Sequence, residues 1–134
     1  MKKLFLLFSH KLTDDQIDEA ENKLGVNEII YLPENLQELW SMVLPEGELN
    51  LERLRKITDW IRNNANKDDY ILIQGEYGST YYLVDFAFEM GVIPIYSTSK
   101  RVYKETKNGD GTIKREHIFK HINLRRYKKY REEK

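Results

Sequence analysis

The residues best suited to chemistry fall in three short runs. Ser97-Thr98-Ser99-Lys100-Arg101 follows the apolar run Val92–Tyr96. Three hydroxyls and two cations side by side suit an anionic ligand, such as a phosphate, better than they suit a core. Gly75-Glu76-Tyr77-Gly78-Ser79-Thr80 precedes a helical pattern. The run can present backbone N–H groups and hydroxyls to a phosphate, helped by the helix dipole. The alternative is a tight turn with a serine cap. The loop is neither a Walker A loop nor a GxGxxG fingerprint, so nucleoside triphosphate and dinucleotide readings have no support. The third run is Ser9-His10-Lys11. Histidine is the side chain whose charge ordinarily changes near neutral pH, so His10 is a candidate general acid or base. Its alternative is a hydrogen-bonded structural histidine.

Other residues qualify these runs. Lys100 and Arg101 either neutralise phosphates or pair with acidic parts of the chain. Tyr77, Tyr81, Tyr82 and Tyr96 lie in or beside the runs. Aromatic rings near cations suit stacking on nucleobases. Core packing is the expectation for Tyr96 and for at least one of Tyr81 and Tyr82. His117 and His121 stand four apart with no evident third ligand, so no metal and no cofactor is expected.

The elements that must position these residues follow from periodicity. Lys3–Phe8 reads as a strand buried on both faces of a parallel sheet. Thr13-Asp14-Asp15-Gln16 has capping-box spacing and opens a helix carrying Ile17, Ala20 and Leu24, stopped at Gly25. Glu28–Leu32 is a second strand, closed by Pro33. A short helix over Glu34–Met42 presents Leu36, Leu39 and Trp40. Asn50 caps a longer one through Asn64, with a Leu51, Leu54, Ile57 and Ile61 stripe. Tyr70–Gln74 is the third strand. A helix from about Tyr81 to Met90 and the strand Val92–Tyr96 follow. Arg101–Lys107 and Thr112–Lys120 flank Asn108-Gly109-Asp110-Gly111, a hairpin signal.

This order predicts a mostly parallel α/β sheet with strand order 2-1-3-4 and a C-terminal β-hairpin at one edge. In such sheets ligands bind beyond the carboxyl ends of strands, where strand order reverses. The three polar runs are the ends of strands one, three and four. They are expected to share one crevice.

Length and composition fit one globular domain of 134 residues, 40% hydrophobic and 33% charged. It divides into an α/β core over 1–99, a hairpin and basic segment over 100–127, and a charged tail over 128–134. There is no cysteine, which excludes disulfides and thiolate metal sites and fits a reducing cytoplasm. The apolar run Leu4–Phe8 is shorter than the roughly 7–15 residues of a secretory h-region. No segment reaches the length of a membrane span. The net charge of zero hides an asymmetry. Residues 1–99 hold 9 Lys/Arg and 17 Asp/Glu, while 100–134 hold 13 and 5. A basic third on an acidic body suggests an anionic partner, or a contact with the acidic part within the chain or between subunits.

The motifs also carry a resemblance. Phe8-Ser9-His10-x-Leu12-Thr13, Leu32-Pro33 with Leu36-Gln37 and Trp40-Ser41, Pro94-Ile95-Tyr96-Ser97-Thr98, Arg101, Glu105, Phe119-x-His121 and Arg125-x-Tyr127 occur in order over nearly the whole chain. The set resembles the small CRISPR-associated accessory proteins labelled Csx, number twenty. Ser99 stands where that family has a second threonine, and Leu124 where it has phenylalanine. The resemblance implies a Rossmann-like domain related in shape to CARF domains, set in type III CRISPR defence. It also implies ring nuclease activity on cyclic oligoadenylate, a cyclic RNA messenger, in a homodimer.

On that resemblance, the ribose 2′-OH attacks its own neighbouring phosphate without a metal. Lys100 or Arg101 would stabilise the phosphate. His10, then His121, would move the proton. Ser9, Gly75, Gly78, Ser79, Thr80, Tyr81, Ser97, Thr98, Ser99 and Arg125 would bind the ligand. The rival readings are a sensor or sponge that captures the ring without cutting it, a general RNA- or DNA-binding module, and an enzyme for another phosphorylated metabolite.

Overall fold

The fold is described from a computed structural model, which describes residues 1–131. Part of the expected tail, residues 132–134, lies outside the described residues. The elements run β1 (Lys3–Leu7), α1 (Asp14–Asn22), β2 (Glu28–Tyr31), α2 (Glu34–Ser41), α3 (Leu51–Asn64), β3 (Tyr70–Ile73), α4 (Tyr77–Met90), β4 (Ile93–Lys107) and β5 (Ile113–Arg126). They build a mixed α/β fold on one five-stranded sheet, ordered β2-β1-β3-β4-β5. The first four strands are parallel, and β5 returns antiparallel to β4. The expected order 2-1-3-4 with an edge hairpin is found.

Each face of the sheet has its own core. On one face Phe5, Leu7, Ile71 and Ile73 pack against Leu36 and Trp40 of α2, Leu54, Ile57 and Ile61 of α3, and Leu83 and Ala87 of α4. On the other, Leu4, Leu6, Leu72 and Ile95 pack against Ala20 of α1, with Leu12, Val26, Tyr70 and Leu124. β1 and β3 are therefore buried on both faces, which is why they read as unbroken apolar runs. α1 begins at the capping box: Gln16 N–H bonds Thr13 Oγ1, and Thr13 N–H bonds Gln16 Oε1. Among the described residues no helix is long and apolar enough to cross a membrane.

Two elements differ from expectation, and both differences reshape the site. First, α4 starts at Tyr77 instead of near Tyr81, so Gly78, Ser79 and Thr80 belong to its first turn. Second, β4 does not end at Tyr96. It continues through Ser97–Arg101 to Lys107, paired with β5 from Ile95↔Arg126 to Lys107↔Ile113. The hydroxyls and cations expected on a loop are strand residues with alternating faces. The reason is the partner strand: β5 supplies a full hydrogen-bond ladder that local sequence does not reveal. β4 pairs with β3 only as far as Ile95, and beyond it the β4–β5 pair runs on as a two-stranded ribbon with a register shift between Thr98 and Ser99.

Gly75 sits between β3 and α4, against Trp40. A Cβ on it would meet the indole at 2.9 Å. We expect Gly75→Ala to shift either the indole or the turn and to lower stability by about 1–3 kcal/mol in urea denaturation. A neutral result would show that this turn moves freely.

Candidate functional site

The carboxyl ends of β1 and β3 lie side by side, next to the point where β4 runs on past the parallel strands, and are stitched by side chains of α2 and of Gln74. Gln37 donates to the Phe8 carbonyl at 2.9 Å and to Ser41 Oγ at 3.1 Å. Ser41 Oγ lies 3.2 Å from Ser9 Oγ. Trp40 Nε1 donates to the Gln74 carbonyl at 3.1 Å, and the Gln74 amide oxygen accepts from Ser97 N–H at 2.7 Å. His10 is exposed, with its ring edge-on to Phe8 at 5.4 Å.

The turn before α4 is not a phosphate cradle in this structure. Glu76 is the N-cap. Its carboxylate accepts from Gly78 N–H at 3.0 Å, from Ser79 N–H at 2.9 Å and from Ser79 Oγ at 2.8 Å. Ser79 is fully buried. An anion from the chain already occupies the place expected for a ligand's phosphate, so Gly78 and Ser79 have nothing left to offer. Those hydrogen bonds, the Ser79 N–H foremost, hold the Glu76 carboxyl below its ordinary range. The capping stabilisation is thus complete above that range and is lost as pH falls through the lowered value. The expected serine cap is also corrected, because the carboxylate does the capping.

Ser97 and His121 belong to a chain of contacts on the α1 side. His121 Nε2 lies 2.7 Å from Glu19 Oε1, and Glu19 Oε2 accepts from Leu124 N–H at 2.8 Å. His121 Nδ1 lies 2.7 Å from Ser97 Oγ, which also accepts from Gln16 Nε2 at 3.0 Å. A carboxylate only accepts, so Nε2 carries the hydrogen, and in the neutral ring Nδ1 takes the Ser97 hydroxyl hydrogen. This is the donor order of an imidazole-activated hydroxyl. Here the chain is closed. The His121 and Glu19 side chains are 6% and 10% exposed, and Ser97 Oγ has a partner on each side. The arrangement pins the root of β5 to α1. It does not place His121 where a ligand on the opposite face could use it.

The open space lies on that opposite face. Gln74, Gly75, Tyr77, Thr80, Tyr96 and Tyr127 line a cavity of about 320 Å³. Tyr77, Thr80 and Tyr127 also border a second cavity of about 440 Å³, which extends along α4 past Tyr81 and Phe88 to Tyr130. Tyr127 donates to the Ile73 carbonyl at 2.6 Å and packs on Tyr96, ring centroids 4.7 Å apart. Burial, with Tyr96 adding, pushes the Tyr127 phenol up to about 12. Arg125 lies over the Tyr96 ring at 5.8 Å and reaches its hydroxyl at 3.4 Å. Thr80 Oγ1 is buried in the wall with no hydrogen-bond partner among the described residues. Aromatic walls and a cation suit a planar, anionic ligand.

The remaining expected residues separate along the ribbon. Alternation puts Tyr96, Thr98 and Lys100 on the crevice face, and Ser97, Ser99 and Arg101 on the α1 face. Lys100 and Arg101 therefore cannot both address one phosphate from one chain. Arg101 stacks on Phe119 at 5.3 Å, and Thr98 Oγ1 hydrogen-bonds Asn123. Ser99 and Tyr81 are exposed. Among the described residues, no group of three His, Asp or Glu side chains could hold a metal. Sequence reasoning missed Gln16, Glu19, Gln74 and Tyr127 as parts of the site. Gln16 and Tyr127 were visible as members of motifs. Glu19 and Gln74 carried no signal beyond being polar at positions adjoining a core.

The fold and crevice thus define a small mixed α/β protein with an aromatic, cation-edged cavity beyond its parallel strands. The chain belongs to the uncharacterized protein MJ1673 family, whose model matches residues 2–125. It is similar to the uncharacterized protein MJ1673 of Methanocaldococcus jannaschii, at 48% identity over 130 residues, covering 97% of this chain and 100% of that protein. No solved structure matches it significantly.

Two outcomes test this geometry. His121→Ala leaves Glu19 buried without its ring partner, and we expect a loss of about 3–5 kcal/mol in urea denaturation. A loss below about 1 kcal/mol would mean the pairing is incidental. A raised phenol pKa keeps its stabilisation below the ordinary tyrosine range and loses it as pH rises toward about 12. Tyr127→Phe should remove that component of alkaline unfolding and one late-ionising phenol from an absorbance titration.

Proposed function

We propose that this protein is a ring nuclease that binds cyclic oligoadenylate, with four adenylates as the expected ring, and opens it without a metal. The resemblance to the Csx family, number twenty, motivates the reading. In its terms the parallel core is a Rossmann-like, CARF-like scaffold acting in the cytoplasm in type III CRISPR defence. The observation that carries it is the aromatic crevice between the carboxyl end of β3 and Tyr96 of β4, edged by Arg125 and overlooked by Lys100 on the same ribbon face. Adenine rings would stack on Tyr77, Tyr96 and Tyr127. Arg125 and Lys100 would neutralise phosphates.

The chemistry balances within the RNA. The 2′-oxygen bonds to the adjacent phosphorus, the bond from phosphorus to the 5′-oxygen breaks, and a 2′,3′-cyclic phosphate and a 5′-hydroxyl result. A base takes the 2′ proton, and the 5′-oxygen receives one. His10 is exposed on the neighbouring strand end and is the ring available for this, since both nitrogens of His121 are engaged. A symmetric ring would need a homodimer supplying the same groups twice.

Capture without cleavage is the second reading. It is favoured by one observation: the hydroxyls of Ser79, Ser97 and Thr98 are all spent within the chain. Incubation with cyclic tri-, tetra- and hexa-adenylate in EDTA, followed by mass spectrometry, separates the two. We expect linear products ending in 2′,3′-cyclic phosphate. His10→Ala and Lys100→Ala should each slow cleavage, by about 100-fold or more if the group acts in the transition state. Intact ring recovered bound to the protein would establish capture. A requirement for added metal would overturn the mechanism.

A further inference from the structure

β4 pairs with β3 only as far as Ile95, so the β4–β5 ribbon beyond it has no third strand at its side. The ribbon face turned away from the crevice carries Arg101 opposite Phe119 and Tyr103 opposite His117. Both rungs are stacks. The Arg101 guanidinium lies 5.3 Å over the Phe119 ring, and the Tyr103 and His117 rings stand 4.6 Å apart. Neither stack is covered. Tyr103 is 67% exposed and Phe119 65%, and Arg101 and His117 are exposed with them. Adjoining rings left in water and rimmed by charge mark an interaction surface.

The charge around the stacks is one-sided. Residues 100–120 hold seven Lys/Arg against three Asp/Glu. The three acids are engaged within the ribbon: Glu105 pairs with Arg115, Glu116 pairs with Lys114, and Asp110 accepts from Thr112 in the turn. Lys100, Lys104, Lys107 and Lys120 have no ion pair among the described residues. The crevice calls on only Lys100 of this basic stretch. We propose that the outer face of the ribbon is a platform for single-stranded nucleic acid, with bases stacked on Phe119, Tyr103 and His117 and phosphates met by Arg101 and the surrounding lysines.

The spacing favours a single strand over a duplex. Successive rungs on one face are two residues apart, about 6.6 Å along the strand. Bases in a duplex are held about 3.4 Å apart. A strand free to open its bases can seat one on each rung, and a duplex cannot. An acidic peptide would pair with the cations and leave the rings in water, whereas nucleotides cover both. Stacking reads neither base identity nor sugar, so RNA and DNA strands should bind alike. The exposed Asp14, Asp15, Asp18 and Glu21 of α1 repel phosphate, which confines the strand to the ribbon. The platform lies on the face opposite the crevice and does not rest on what the crevice binds.

Fluorescence anisotropy of the full chain in EDTA, with labelled oligouridylate and oligothymidylate of about twelve nucleotides each, tests this. Both should bind, with a log–log salt slope of about −2 to −3, the value for three or four phosphates on a single strand. Phe119→Ala and Tyr103→Ala should each weaken binding by about 5-fold or more, and Arg101→Ala should reduce the salt slope by about 0.7. A duplex of the same length should bind about 10-fold more weakly, for want of stacking. Far-UV circular dichroism should be unchanged in all three variants. The crevice reading fails separately, if the wild type leaves cyclic tetra-adenylate intact; Phe119→Ala and Tyr103→Ala should treat that ring as the wild type does. No binding of either strand at about 100 μM protein, the weak end of non-specific affinity, would overturn the proposal. So would binding indifferent to Phe119→Ala and Tyr103→Ala, a duplex bound as tightly as the single strand, or displacement of the strand by polyglutamate at equal charge.

Discussion

The grip of Glu19 on β5 is the interaction on which the rest depends. One carboxylate oxygen takes His121 Nε2 and the other takes Leu124 N–H, both from the last strand. A buried carboxylate must be paired and hydrogen-bonded, and these contacts supply both. The consequence reaches in two directions. Toward the sheet, it seats Leu124 in the core beneath α1. Toward the ribbon, it fixes β5 at the register shift, so that every residue beyond has a set face. Which side Lys100 or Arg101 presents is decided there.

The two sheet faces have been given different work. On the α1 face polar groups are consumed: Gln16, Ser97, His121 and Glu19 satisfy each other and leave little open. On the α4 face the packing leaves a crevice open. Tyr127 spends its hydroxyl on the Ile73 carbonyl, which turns its ring into a wall beside Tyr96. Gly75 clears space against Trp40. The space that stays open lies between Tyr77, Tyr96 and Tyr127, where aromatic surface and the Arg125 charge meet.

Glu76 shows how one residue changes the meaning of a motif. Glycines and hydroxyls at a helix N-terminus suit a phosphate only while their N–H groups are free. A carboxylate at the cap satisfies the same donors from within the chain, and without the cost of immobilising a ligand. The carboxylate was visible in the run from Gly75 to Thr80. Its rotamer was not, and the rotamer decides between the two uses.

Much of the architecture was legible because it rests on local physics. Unbroken apolar runs at Lys3–Leu7 and Tyr70–Ile73, the Thr13–Gln16 capping box, the Asn50 cap and the glycine stop at Gly91 identify the elements and their order. Order and length then constrain strand sequence in the sheet through the handedness of crossovers. The site was legible only in outline: that polar strand ends would meet, not which side chains would remain free. Sequence alone determined the parallel α/β core and the hairpin at its edge, since periodicity and caps act within a few residues. Tertiary structure decided that β4 runs on as a ribbon, that Lys100 and Arg101 face opposite ways, that Glu19 reaches His121 across 102 positions and that Glu76 fills the helix N-terminus. Each of those depends on a partner whose position the chain settles only once it is folded.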